Sequence, residues 1–364
     1  MTAADPVAWD VAEKIAVRVA GREPFAESYH WDSLTPDFDE LTAEAEELVA
    51  QATGLRSLAG PARARVVDRQ GWVRANVASF QRLLRPLTER LGSKMSSGPL
   101  APIGRTVAGA ELGTMLGWMS TRVLGQYDLL LVEAEADTGP DGNEGDVVYY
   151  VGTNVLALEK KFSFPPREFR LWLALHEVTH RAQFTGIPWM HEHFLGLVEG
   201  SLAAVDPDPK RFLEALRRAV EEMKAGRNPL DEGGLVALLA NDEQRELLQK
   251  VQGLMSLLEG HGDVTMDRAG ADEIPSAERF QRVLRQRRQQ GSPVARQLQK
   301  LIGLEAKLKQ YQQGEDFIAA VEAVGGTDLL DRAWRGPEWL PTLEEIRDPG
   351  TWIERVDTLE RAAK

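Results

Sequence analysis

Cysteine is absent from the 364-residue chain. Its absence excludes disulfides, thiolate nucleophiles, and zinc or iron–sulfur sites built on cysteine. A bound metal ion would therefore need histidine and carboxylate ligands. Histidine is itself scarce, with six in all, and those after His30 are crowded into one part of the chain: His176, His180, His191, His193 and His261.

Long apolar runs and positive charge are also in short supply. No run reaches the roughly 18 apolar residues that a membrane helix needs, and the first residues carry acids where a secretory signal would carry Lys or Arg. A cytoplasmic protein with no membrane partner is therefore expected. The formal net charge of −13 argues against a nucleic-acid partner, because phosphate binding needs a basic face. The basic stretch 278–301 is interpreted as a solvated helix surface.

Apolar spacing typical of helices covers most of the chain. The exceptions are 127–135 and 147–158, which are rich in β-formers and are separated by a turn-like segment. The predicted fold is mainly α (α+β), with a small antiparallel sheet just before the helix that carries HEVTH. We expect residues 1–270 to hold the N-terminal helices, the sheet and any metal site. Residues 271–364 would form a helical portion packed on them, or continue the same domain.

The motif HEVTH, residues 176–180, is the strongest chemical signal. His176 and His180 lie four residues apart, so on a helix both imidazoles point the same way and can take adjacent corners of a zinc tetrahedron. Glu177 lies about 100° around the helix from His176, within reach of a water molecule that it could deprotonate. Two histidines on an apolar helix stripe need partners, which favours a metal site over two ordinary polar residues.

The third ligand cannot be the histidine of HExxHxxGxxH, because Gln183 and Gly186 stand where that motif has glycine and histidine. Glu259 is the preferred ligand, since it extends the apolar stripe of the helix before it, and a carboxylate on a core face must be paired or coordinated. Asp263, one turn later, would accept the second N–H of a liganding histidine.

Several residues remain rivals for the third position. His261 is the strongest, because Gly260 and Gly262 make the helix end uncertain. His191 and His193 are expected to line the cleft or its rim. Glu199 ranks lower, and His30 has no cluster around it.

Five blocks carry a resemblance that spans about residues 5 to 358: ELGTMLGWMSTRVLGQYDL, HEVTHRAQFTGIPW, LLEGHGDVTMD, GLEAKLKQYQQGEDF and GPEWLPTLEEIRDPGTWIERV. Together they resemble a family of bacterial zincin-like proteins, named as hydrolases or zinc-dependent metalloproteases, of which one branch is labelled as associated with coenzyme F420 biosynthesis. The resemblance implies that His176 and His180 bind zinc, that Glu177 is the general base, and that the EGHGD block supplies the remaining ligand.

Zincin-like folds place an antiparallel edge strand beside the active-site helix, where an extended peptide can add as a further strand. The segment Val147–Val151 is expected to be that edge.

The expected activity is zinc-dependent hydrolysis of an amide, in a peptide, with Zn²⁺ on His176, His180 and Glu259 and with Glu177 as general base. His261 and Tyr311 are the candidate oxyanion donors. Tyr149 and Tyr150 are expected to serve sheet packing. The alternatives are a non-catalytic zinc-bearing scaffold or binding protein, and hydrolysis of a non-peptide amide or ester.

Overall fold

Helices account for most of the residues that the structure describes. The structure is a computed structural model in which residues 7–23, 25, 27–95, 101–128, 146–203, 242–289 and 304–362 are described. The mainly α class with a small sheet is confirmed. The chain divides into two units, Met1–Pro188 with Thr265–Phe280 and Trp189–Val264 with Gln281–Lys364. The predicted division near residue 270 stays a prediction.

The first unit contains the helices that precede the HEVTH motif and the helix that carries it. Its helices are α1 Trp9–Ala20, α2 Tyr29–Asp32, α3 Leu34–Thr53, α4 Arg69–Met95, α5 Ala101–Ser120, α6 Gly152–Phe162 and α7 Pro166–Gly186, and its strands are β1 Arg63–Val67, β2 Gly125–Tyr127 and β3 Val147–Val151.

The second unit begins with α8 Met190–Ala203. It continues with α9 Asp242–Ala269, whose last residues belong to the first unit, as does the start of α10 Ala277–Gln289, and then with α11 Leu304–Leu330, α12 Leu343–Arg347 and α13 Pro349–Ala362. Gly326, at positive φ, kinks α11. The apolar spacing of the sequence also predicts helices at 208–225 and 234–260, and the first of these and the start of the second lie outside the described residues. No helix in the described ranges is both long and apolar enough to cross a membrane.

The sheet is mixed, with strand order β1-β3-β2. Strand β1 runs parallel to β3, and β2 runs antiparallel to it. The prediction that Val147–Val151 is the edge strand is therefore wrong, because β3 is central and all five of its residues are buried. A strand covered on both faces has a continuous apolar sequence rather than an alternating one. Residues 152–158, predicted to extend this strand, instead begin α6.

Tyr150 packs as the sequence predicts. Its ring stacks on Phe38 with centroids 3.8 Å apart, and its hydroxyl lies 2.9 Å from that of Thr42. Burial raises the pKa of Tyr150 above its ordinary value. Tyr149 is also buried, beneath the guanidinium of Arg65.

A stripe of glycines lets α5 approach α1 closely. A Cβ atom at Gly109, Gly113 or Gly117 would collide with the backbone of Ala8, Ala12 or Ala16, respectively. Each glycine is four residues from the next, so the three share one helix face. The recurrence of glycine in GAELGTMLG predicts tight helix packing, and that packing is present. This contact joins a core that includes Ala16, Trp72, Val73, Leu116 and Val151.

In the second unit a glycine contact sets how α9 and α11 cross. A Cβ at Gly260 would collide with the backbone of Gly314, and one at Gly314 would collide with Ser256. The predicted uncertainty of the helix end at Gly260 and Gly262 is thereby resolved, because α9 continues to Ala269. Gly260 serves close packing here rather than termination.

We predict that Gly113→Ala destabilises the protein. Alanine is normally the better helix former, by about 1 kcal/mol, but its Cβ would lie 2.9 Å from the Cα of Ala12, and overpacking costs about 1–3 kcal/mol. Urea denaturation measures the difference. Gly104→Ala in the same helix, where no atom of the described residues lies within 4 Å of the added Cβ, should be neutral or stabilising. A Gly113 variant as stable as the Gly104 variant would contradict the packing argument.

Candidate metal centre

Helix α7, which carries HEVTH, is buried for most of its length. It begins with Pro166 at its first position, where a proline costs no hydrogen bond. Phe169 and Trp172 in its first half pack with Phe164 and Phe280, at ring-centroid distances of 4.8–6.3 Å. This aromatic cluster fixes the N-terminal half of α7 within the first unit.

A second stripe of α7 is polar although it is buried. Arg170, Glu177 and Arg181 are spaced by seven and four residues, so they lie within about 40° of one another around the helix. Their exposed fractions are 3%, 7% and 1%. Charges at this depth require compensating partners, and each of the three has partners on other elements.

Arg181 is held by two carboxylates and one carbonyl. Its Nε donates to Asp146 Oδ1 at 2.8 Å, and one of its terminal nitrogens donates to Oδ2 of the same residue. Glu46 Oε1 and Gly60 O accept the remaining bonds, each at 2.6 Å. Burial alone lowers the pKa of Arg181, but the two carboxylates outweigh it and the net shift is upward. Arg181 thus ties α7 to α3 and to the start of β3.

Arg170 forms the corresponding clamp three turns earlier. Its guanidinium makes a bidentate pair with Glu159 of α6, at 2.8 and 3.0 Å, and also bonds to Asp37 of α3. Fork-to-fork geometry of this kind fixes orientation as well as distance.

Glu177 lies between Arg170 and Arg181 along α7, and it contacts strand β2 of the sheet. Its Oε2 accepts a hydrogen bond from the backbone N–H of Tyr127, at 3.0 Å. A backbone donor of this kind stabilises the ionised carboxylate. The Tyr127 side chain is buried, and its burial, together with nearby Asp146, raises the pKa of its hydroxyl.

His176 and His180 occupy the neighbouring stripe, one turn apart. Their ring centroids are 4.7 Å apart and the rings are nearly perpendicular, at 86°. Both side chains are half-buried. His180 Nδ1 lies 3.0 Å from Gln183 Oε1, a contact that is a hydrogen bond in the tautomer with the proton on Nδ1. That tautomer has its lone pair on Nε2, which is the form that binds a metal ion.

Glu259 is the third member of the candidate donor set. It lies on α9, is 7% exposed, and follows a run of buried leucines. His176, His180 and Glu259 form a group that could hold a metal ion, with one ligand atom from each within 4.8 Å of the others. Two imidazoles and one carboxylate are a donor set suited to zinc in a catalytic site.

A model of the zincin-like metallopeptidase family matches residues 7–353. This chain belongs to the zincin-like metallopeptidase family. It is also similar to a solved structure from Chloroflexus aurantiacus, described as a "putative hydrolase with a novel fold", with 30% identity and a TM-score of 0.70. That likeness covers 96% of this chain and 99% of the other. No curated protein sequence matches the chain.

The other candidates of this zincin-like protein are placed as follows. His261 is buried on α9 and packs edge-on against Trp334, with centroids 5.1 Å apart. Asp263 is half-buried on the same helix. Tyr311 lies in α11, but its side chain is outside the described part of the chain. The assignments of Asp263 as supporting acceptor, and of His261 and Tyr311 as oxyanion donors, stay predictions.

The remaining candidates for the third metal ligand have side chains that are less buried than that of Glu259. His193 packs edge-on against Trp189, with centroids 5.7 Å apart, and burial, followed by the charge of Lys250, lowers its pKa. His191 is half-buried, whereas Glu199 and His30 are exposed. Exposed side chains lack the desolvation that makes a buried donor set favour a metal, so Glu199 and His30 are the weakest candidates.

Sequence reasoning overlooked Arg170 and Arg181 as partners of the site, and it used Gln183 only to exclude one class of metalloprotease. The available signal was the spacing of Arg170 and Arg181, eleven residues apart in the same helix. Such a spacing places both on one face, where burial demands acidic partners. The signal did not identify those partners.

We predict that Arg181→Met destabilises the protein by about 3–5 kcal/mol, because it leaves buried carboxylates without their counter-charge. Arg167→Met is the control on the same helix, since Arg167 is 60% exposed and pairs with Glu40 and Glu44; exposed pairs contribute below about 1 kcal/mol. Chemical denaturation of both variants makes the comparison. Equal losses would show that the Arg181 network does not stabilise the fold.

Proposed function

We propose that this protein is a zinc-dependent hydrolase that cleaves an amide bond, with His176, His180 and Glu259 as metal ligands and Glu177 as general base. The observation that carries the proposal is the arrangement on α7. Two imidazoles lie one turn apart, the protonation of one is set by Gln183, and a buried carboxylate lies beside them. Membership of the zincin-like metallopeptidase family supports the same chemistry.

The donor set supports zinc in particular. Nε2 of His180 bears the lone pair, because its Nδ1–H is committed to Gln183. Glu259 adds a carboxylate to the group, and cysteine is absent from the chain. Three protein ligands of this type leave a position for water or substrate, which separates catalytic from structural zinc sites.

The roles of the chain's own groups follow from their contacts. Bound zinc would supply Lewis acidity that polarises a carbonyl and makes water a better proton donor. Glu177 is the group that takes the proton, and we assign this to Oε1, because Oε2 is bonded to the Tyr127 amide. Glu177 then returns the proton to the leaving amine, since a general base in the first step is the natural acid in the second.

A peptide is the proposed substrate, because the family is one of metallopeptidases. Because α9 continues through residues 259–261, His261 lies about 200° around the helix from Glu259 and packs against Trp334, so the proposal gives it no role at the metal. An ester or a non-peptide amide would undergo the same chemistry, and a substrate panel separates these cases.

We predict about one zinc per chain in wild-type protein purified without chelator, measured by elemental analysis. Glu259→Ala should lose most of the metal, whereas His261→Ala should retain it. Glu177→Gln should also retain it, because the base is not a ligand. Loss only in the His261 variant would move the third ligand there, and a wild type that stays metal-free after incubation with zinc would overturn the proposal.

Hydrolysis is then tested with a library of quenched fluorescent peptides and a parallel panel of esters and acyl amides. Zinc-loaded wild type should cleave members of the peptide library, and Glu177→Gln should lower kcat by about 10²-fold or more. Zinc binding without turnover on any panel would favour the non-catalytic scaffold instead.

Gln183→Leu should weaken zinc binding by about 10–100-fold, which is the usual effect of losing the partner that orients a histidine ligand. Competition with a fluorescent chelator measures the affinity. Thr179→Val is the control, since it removes from the same helix a buried hydroxyl that donates to Leu175 O at 2.7 Å. Equal losses in both variants would contradict a specific role for Gln183.

A further inference from the structure

The backbone of β2 is arranged around the Glu177 carboxylate. Strand β2 pairs antiparallel with β3, where Leu124 O accepts from Val151 N–H and Asp128 N–H donates to Val147 O. Ladder bonds of an antiparallel pair recur at alternate residues. The Tyr127 N–H therefore points away from β3, and there it donates to Glu177 Oε2 at 3.0 Å.

Gly125, two residues earlier, leaves the space that this carboxylate occupies. A Cβ at Gly125 would lie 2.7 Å from both Cγ and Oε1 of Glu177, and 2.9 Å from its Cδ. Gly125 is not among the glycines with positive φ, so its backbone conformation is open to any residue. The requirement for glycine at this position is therefore one of space beside Glu177.

The strand is also held by its middle residue. Gln126 Oε1 accepts from Trp72 Nε1 at 2.8 Å, and Gln126 Nε2 donates to Asn76 Oδ1 at 3.1 Å. Asn76 in turn donates to the backbone carbonyl of Trp72, at 2.9 Å. Because successive side chains of a strand point to opposite faces, this network anchors β2 to α4 from the side away from Gly125. These hydrogen bonds oppose a movement of β2 away from Glu177 that would make room for a larger residue at position 125.

We propose that Gly125 and the Tyr127 amide are positioning groups for the general base, a role that rests on the proposed hydrolase function. The amide fixes Oε2. The missing side chain at Gly125 lets Oε1 take the orientation from which it accepts a proton. Neither group contacts a metal ligand in this account, so their loss should impair catalysis without reducing metal binding.

The test is Gly125→Ala in the zinc-loaded full chain, assayed with a peptide that the wild type cleaves. The variant should lose up to roughly 100-fold in kcat, the scale of effect of a displacement of about 1 Å in a catalytic group. KM and zinc content should stay at wild-type values. Gly104→Ala, where the added Cβ meets no atom within 4 Å in the described part of the chain, is the matched control and should keep wild-type kcat.

A double-variant cycle separates positioning from a general structural defect. Alanine at position 177 removes Cγ, Cδ and the carboxylate oxygens, which are the atoms that the Gly125 Cβ would meet. Gly125→Ala should therefore lower the residual kcat much less in a Glu177→Ala background than it lowers kcat in the wild type. An equal fold-loss in both backgrounds would mean that the two positions act independently, and would overturn the inference.

Hydrogen exchange at the Tyr127 amide provides a readout that needs neither substrate nor zinc. The amide should exchange faster in Gly125→Ala and in Glu177→Ala than in the wild type and in Gly104→Ala. Unchanged exchange in the Gly125 variant, or unchanged kcat in an active and zinc-loaded Gly125 variant, would overturn this inference alone. A wild type with neither zinc binding nor turnover would overturn the proposed function, and with it the catalytic role of Gly125.

Discussion

Compensation of buried charge on α7 is the constraint on which the first unit depends. Arg170, Glu177 and Arg181 lie on one buried stripe, and none can be desolvated without a partner. Their partners come from different parts of the fold: α3 and α6 for Arg170, β2 for Glu177, and α3 with the start of β3 for Arg181. The helix therefore reaches its native setting only when all of these elements are in place.

The same constraint also fixes the orientation of the two histidines of the candidate site. The histidine pair lies on the stripe next to the clamped one, so anything that fixes the rotation of α7 also fixes where the imidazoles point. The contact of Gln183 Oε1 with His180 Nδ1 favours the tautomer whose lone pair is on Nε2. Groups held in this way on a rigid helix would need little reorganisation during the proposed reaction, which is the main source of electrostatic catalysis.

Much of this could be predicted from local pattern. The helix that carries HEVTH, its proline start, and the helix that carries Glu259 all follow from apolar periodicity. Strand β1, whose sequence is the partly exposed RARVV, was missed because its pairing with β3 spans some 80 residues and leaves no local signal. The placement of β3 was wrong because five apolar residues fit an edge strand and a central strand equally well, and only the neighbours decide.

The same limit applies to the site. The partners of Arg170 and Arg181 are remote in sequence, and acids are plentiful, so even a buried arginine recognised in the sequence would call for acidic partners without selecting them. Gly125 carries no functional group, and its importance became visible only through the atoms that its absent side chain would meet.

The crossing of α9 and α11 at Gly260 and Gly314 fixes the position of α9 along its own axis. Only glycine fits where the two backbones meet, and both neighbours of Gly260, Glu259 and His261, carry large side chains. A slip of α9 by one residue would move Glu259 by about 1.5 Å along the axis and turn it by about 100°, while forcing a large side chain into the crossing. The register of Glu259 is thus set by an adjacent residue that has no side chain.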